Sequence, residues 1–143
     1  MIFDVMQIIS NYGNTVVDTF DMTAMELTTS QQFGDHHFRQ LSGFTEHSAH
    51  ISMLEAGDIS LSRFRWGAAA SVATESLDTF YIISLPTRGR EMFSQDGKSL
   101  ELRPGLAGVF SPWPSFNLEA TSDMETVVIK VPKSVIDRTA RAI

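Results

Sequence analysis

The stretch Glu91-Met-Phe-Ser-Gln-Asp-Gly-Lys-Ser-Leu-Glu-Leu102 carries the strongest structural signal in the chain. Two five-residue segments, Glu91–Gln95 and Lys98–Leu102, flank Asp96-Gly97. A two-residue turn of this type needs positive φ at both central positions, and Asp-Gly supplies that at low cost. The segment therefore reads as an antiparallel β-hairpin. The text on either side repeats the pattern. Downstream, Leu106–Ser111 follows Pro104-Gly105, Phe116–Ala120 follows Pro112-Trp113-Pro114, and Glu125–Val131 stops at Pro132. Upstream, Thr79–Leu85 is a compact apolar strand expected to end at Pro86, which cannot donate to a ladder. Ala49–Glu55 and Asp58–Arg65 flank Ala56-Gly57 as a further hairpin.

Seven or eight short strands with turn signals at this density point to a sandwich or barrel rather than to βαβ units. Val127, Ile129 and Val131 alternate and are expected to face inward. Two helices frame the strands. Thr23-Ala24-Met25-Glu26 has capping-box spacing, Met22, Met25, Thr29 and Phe33 recur at helical spacing, and Gly34 is a natural stop. A helix over 22–33 follows. After Pro132, Ile136, Ala140 and Ile143 lie on one stripe of a terminal helix, Lys133–Ile143. Residues 1–34 are otherwise the least sheet-like part of the chain. No repeat, linker or low-complexity tract divides it, so residues 1–143 form one domain.

Composition narrows the function. The 143 residues carry 11 basic and 17 acidic side chains, a net charge of −6. Eight acids and one base fall in residues 1–60, nine acids and ten bases in the rest. An acidic domain is poorly suited to gripping phosphates over a broad surface. Cysteine is absent, which removes disulfides, thiolate nucleophiles and cysteine metal ligands. No apolar run approaches a membrane span of roughly 18 residues, and MIFDVMQIIS lacks the basic start of a secretory signal. A cytoplasmic location is expected.

Four segments, in this order, carry a family resemblance: ISLSRFRWGA (59–68), DTFYIISLPTRGR (78–90), LRPGLAGVFSP (102–112) and METVVIKVPKSVIDR (124–138). Together they resemble the cupin-like N-terminal sensor domains of AraC-family transcription regulators, a likeness covering about residues 24–143. The resemblance implies a mostly β fold, a cupin-like double-stranded β-barrel or sandwich with a short N-terminal helix and a C-terminal helix. It implies a homodimer formed through the terminal helix. It also implies a DNA-binding domain with two helix-turn-helix units. The chain has no room for these after Pro132, so a fragment lacking that domain is expected, with DNA reached only through it.

Catalytic cupins resemble one another in a metal set of early closely spaced histidines, a carboxylate and a late histidine. Here His36, His37, His47 and His50 all precede residue 51, the stretch 66–74 has none, and the late position falls near Phe116. Phenyl groups cannot replace imidazole as ligands. His36-His37 reads as a loop after Gly34, and all four histidines as surface or capping residues. No metal, no cofactor and no enzyme activity are expected. Nor does any G-x-S-x-G elbow or Gly-rich phosphate loop occur.

What remains is an apolar cavity for a small organic effector. Most aromatics in a small barrel simply fill it. Trp66, Tyr81, Trp113 and Phe116 are the candidates to line a pocket, since Tyr and Trp add a polar atom. Arg65, alternating with Trp66, would suit a carboxylate effector if a bulge turned it inward. Otherwise Arg63 and Arg65 face solvent. Ile136, Ala140 and Ile143 are the candidate dimerisation residues. A stand-alone metal-free binding protein and a metal-free enzyme are the competing readings.

Overall fold

The computed structural model describes residues 2–75, 77–112 and 115–142. Trp113 and Ile143 lie outside these described residues. The order is α1 (Ile2–Tyr12), β1 (Asn14–Thr19), α2 (Met22–Phe33), β2 (His36–Gln40), β3 (Ala49–Ala56), β4 (Ile59–Arg65) and β5 (Ala70–Thr74). It continues with β6 (Phe80–Arg88), β7 (Glu91–Gln95), β8 (Lys98–Leu102), β9 (Gly108–Phe110), β10 (Phe116–Ala120), β11 (Glu125–Pro132) and α3 (Lys133–Ala142).

The strands form two antiparallel sheets. One runs β1-β3-β4-β11-β6-β9 and the other β2-β5-β10-β7-β8. Their facing sides bury one continuous core that includes Ile51, Phe64, Trp66 and Ile82 from the first sheet's side and Val72, Phe93, Phe116 and Leu118 from the second's. The hairpin at Asp96-Gly97 is as expected, with φ of 53° and 72°.

Helix α2 has the expected bounds and buries Met22, Met25, Thr29 and Phe33. Its cap differs. Asp21 accepts from the Thr23 N–H at 3.0 Å, two residues ahead of the expected Thr23–Glu26 box. Glu26 instead accepts the backbone N–H of Phe38 at 2.7 Å, tying α2 to β2. The helix carboxylate thus serves the neighbouring strand.

Five other expectations are corrected. Residues 1–34 are the least sheet-like part, as expected, with one strand beside two helices, but eleven strands rather than seven or eight exist among the described residues. His36-His37 opens β2 rather than a loop, pairing with Thr74 and Ala73. Strand β6 runs through Pro86 to Arg88. Its neighbour β9 pairs only with Ile82–Ser84, so Pro86 stands where β6 has a free edge and a missing N–H costs little. The fourth concerns β9, three residues rather than six. The fifth concerns β11, whose inward residues are Thr126 and Val128. Val127 and Val131 are buried on the opposite face. A strand apolar on both faces gives no alternation to say which is inside.

The chain passes between sheets at Gly89, whose φ is +69°. A Cβ there would stand 2.8 Å from the Met124 Cα. This turn places β6 and β7, neighbours in sequence, on opposite walls of the barrel.

Candidate functional site

Between the sheets lies a cavity of about 60 Å³. That is room for about four waters; a cavity that holds a benzene ring is about 150 Å³, so a ring-sized molecule enters only with movement of the wall that α2 supplies. Its wall is mostly aromatic: Phe33, Phe38, Phe64, Trp66, Phe93 and Phe116. Alternation explains the set, since Phe64 and Trp66 follow one another on the inner side of the chain leaving β4, and Phe93 and Phe116 face them from the second sheet. Phe93 and Phe110 stack with centroids 4.0 Å apart, and Phe110 and Phe116 at 5.4 Å.

Helix α2 closes the cavity, contributing Thr29 and Phe33. The Phe33 ring meets Phe64 at 5.6 Å. The helix is tied down at its C-terminal end. Ser30 Oγ accepts the His36 N–H at 3.1 Å and donates to the His36 carbonyl at 3.2 Å. Lys130 Nζ donates to the Gln32 carbonyl at 2.8 Å and lies 4.5 Å from the Phe80 ring centroid. A cation at a helix C-terminus also meets the dipole favourably. Burial lowers the Lys130 pKa, and Glu55 opposes that shift.

One wall is polar. Glu91 is 1% exposed. Its Oε2 accepts from Ser84 Oγ at 2.9 Å, and Ser84 Oγ shares a second bond of 2.8 Å with Thr126 Oγ1. Burial pushes the Glu91 carboxyl up to about 7, against the pull of the Ser84 hydroxyl. His36, on the same lining, is held below its ordinary value by burial, with the Gly34 carbonyl at 2.5 Å from Nδ1 opposing. It is a buried histidine, not the surface or capping residue expected.

Of the candidate ligand residues, the fold brings Trp66 and Phe116 together in the cavity wall. Arg65 is on the outer face of β4, where Nε donates to the Ser48 carbonyl at 3.0 Å and Nη2 to Ser48 Oγ at 3.2 Å. Arg63 is on the same outer face, 3.3 Å from Glu125 Oε2. No bulge turns either inward. Tyr81 is half-buried on the outer face of β6, opposite Val131. Glu91, Ser84 and Thr126 were not singled out from the sequence, although a signal existed. On a strand, Glu91 shares the face of Phe93, two residues on, and so had to point inward.

A second polar array was also unforeseen. His50 Nδ1 stands 3.6 Å from Asp18 Oδ2, and Nε2 is 2.7 Å from Ser52 Oγ. The order is that of a nucleophilic triad. However, Ser52 sits mid-strand between Thr15 of β1 and Arg63 of β4. It lies within a paired strand rather than at a turn or helix N-terminus, where backbone donors converge on an oxyanion. Asp18 is also engaged by Ser48, whose hydroxyl chiefly holds the carboxyl below its usual range, with His50 adding to this. The array is a cross-strand link. Among the described residues, no three His, Asp or Glu side chains gather to hold a metal ion, and no helix is long and apolar enough to cross a membrane.

Two transcriptional activators and a cupin barrel protein are similar to this chain. The AraC-like transcriptional activator CuxR superposes with a TM-score of 0.74 over 90% of this chain and 50% of its own, at 15% identity. The XylDLEGF operon transcriptional activator 1 of Pseudomonas putida is 26% identical over 82 residues, which is 57% of this chain and 26% of that protein. A Cupin 2 conserved barrel domain protein from Salinispora arenicola CNS-205 superposes with a TM-score of 0.46 over 66% of this chain and 85% of its own, at 15% identity. The chain thus spans about half of one activator and a quarter of the other. The family model of the AraC-binding-like domain matches residues 25–143, from α2 through the barrel to the terminal helix, and the chain belongs to that family.

Proposed function

We propose that this chain is the effector-sensing and dimerisation module of an AraC-family transcriptional regulator, with DNA contacted by a domain outside it. The observation that supports this most is the aromatic cavity with a polar wall, closed by helix α2, which is set between β1 and β2. Ligand sites are mostly apolar enclosures with a few convergent polar groups. At a net charge of −6, the chain itself is a poor DNA ligand. The module is read as metal-free.

Strand β11 offers a route for the signal. Thr126 and Val128 line the cavity, Lys130 holds the end of α2, and α3 begins at Lys133. An effector that reshapes the cavity bears on the lid and on the start of α3 through one strand. The effect is a shift between two packings of these helices. In α3 no residue is buried, and Ile136 is 39% exposed. The Ile136–Ala140 stripe is the proposed two-fold contact, the same patch meeting itself.

A thermal-shift screen of small organic molecules tests the reading. Wild type is compared with Val72→Phe, which fills the cavity. A compound that raises the melting temperature of wild type but not of the filled variant supports the effector site. Compounds that stabilise both equally count against it.

A further inference from the structure

The barrel reading leaves the chemistry of the effector open, and the cavity lining constrains it. We propose that the barrel takes a compact ring-bearing molecule with an ammonium group, Glu91 serving as its counter-ion and the faces of Phe64, Trp66, Phe93 and Phe116 as its cage. The inference rests on the barrel being the effector site.

Charge bookkeeping in the lining carries the argument. Glu91 is the one acidic side chain there, and no Lys or Arg is present. The one basic side chain is His36, and its burial favours the neutral imidazole. Lys130, two residues beyond Val128 on the same strand, is committed to the Gln32 carbonyl and does not line the cavity. A carboxylate effector would therefore meet Glu91 with no cation between them, so one of the two carboxyls must take up a proton on binding, a cost that grows as the pH rises above the Glu91 value of about 7.

The acceptor capacity also points to a donor. An ionised carboxylate offers about four lone-pair sites. Among the described residues, the one side-chain hydrogen bond to Glu91 comes from Ser84. Thr126, the other hydroxyl of the cluster, bonds Ser84 rather than Glu91. An ammonium brings three donors and the compensating charge together. Ring faces attract a cation, more strongly where water is excluded. An aromatic wall with a single buried acid therefore matches an ammonium better than a neutral hydroxyl, which would leave Glu91 either protonated or an uncompensated charge.

The test uses three probes that share a ring and differ in head group: benzylamine, benzyl alcohol and benzoate. Calorimetric titration of the 143-residue chain at pH 7.5 is expected to show benzylamine at least tenfold tighter than benzyl alcohol, with benzoate weakest. Glu91→Gln keeps the size and the Ser84 contact. It should weaken benzylamine at least tenfold and leave benzyl alcohol within about twofold. Val72→Phe should abolish benzylamine binding. Equal or tighter binding of benzyl alcohol or benzoate, indifference to Glu91→Gln, or benzylamine binding that survives Val72→Phe would each overturn the amine assignment. Among these, binding of the uncharged or acidic probe that is lost in Val72→Phe would leave the barrel reading standing. Failure of all three probes overturns the amine assignment, and the broader screen then judges the barrel.

Discussion

Ser84 on β6 and Glu91 on β7 are hydrogen-bonded at 2.9 Å across the barrel interior, although they belong to different sheets. Six residues lie between them in sequence, and Gly89 turns the chain there. The bond joins the two walls at the most buried charged group of the cavity. Its stability therefore depends on whether Glu91 carries a proton.

That dependence has a definite sign. Between about pH 4.5 and 8 the unfolded chain releases this proton first, because folding raises the carboxyl to about 7. Stability then falls as pH rises, by on the order of 3 kcal/mol at 1.36 kcal/mol per pH unit. The lowered pKa of His36 acts oppositely, with stability lost as pH falls below 6.5. Glu91→Gln removes the first effect and keeps the second. Urea unfolding across this pH range should show wild type losing ground to Glu91→Gln as pH rises. A constant difference would contradict an elevated Glu91.

Gly89→Ala should cost roughly 2–4 kcal/mol, combining a left-handed conformation with a clash against the Met124 backbone. Chemical denaturation measures it. A cost under 0.5 kcal/mol would show that the crossing between sheets can relax.

Helix α2 was legible because three local signals agree: apolar spacing, a polar start and Gly34 at the stop. The Asp-Gly hairpin and Phe116–Ala120 were legible for similar reasons. Strands β1, β2 and β5 were not. Asn14–Thr19 and His36–Gln40 are largely polar, and Ala70–Thr74 is built of small residues, so pairing with a partner strand defines them rather than their own pattern. At the site, Trp66 and Phe116 were readable as aromatic strand neighbours. Glu91 was passed over as a hairpin residue, though its alternation with Phe93 marked it. Tyr81 was misplaced because β6 carries half-buried side chains on its outer face, whereas Arg65 takes the outward alternative that its alternation with Trp66 already offered.

The Asp21 cap bears on the lid. Asp21→Ala removes the acceptor for the Thr23 N–H and should destabilise by about 1 kcal/mol. Hydrogen exchange should quicken in the first turn of α2 before it does in β11. Unchanged protection of α2 would mean that packing of Met22 and Met25 alone fixes its start.

For self-association, Ile136→Asp is the informative change, since no residue of α3 is buried in the single chain. Sedimentation equilibrium over a hundredfold concentration range should show a dimer loosened at least tenfold, with an unaltered melting curve at low concentration. A monomer throughout, or a dimer indifferent to the substitution, would place the interface elsewhere.

The claim that the barrel interior is the effector site is tested most directly at Trp66, which is 4% exposed and lines the cavity. In a Trp113→Phe background, Trp66 is the one remaining tryptophan. Its emission, followed during titration with benzylamine and with hits from the thermal-shift screen, reports occupancy of the cavity. The account predicts a saturable change in intensity and wavelength that Val72→Phe abolishes. Saturable binding by calorimetry with Trp66 emission unmoved would contradict it.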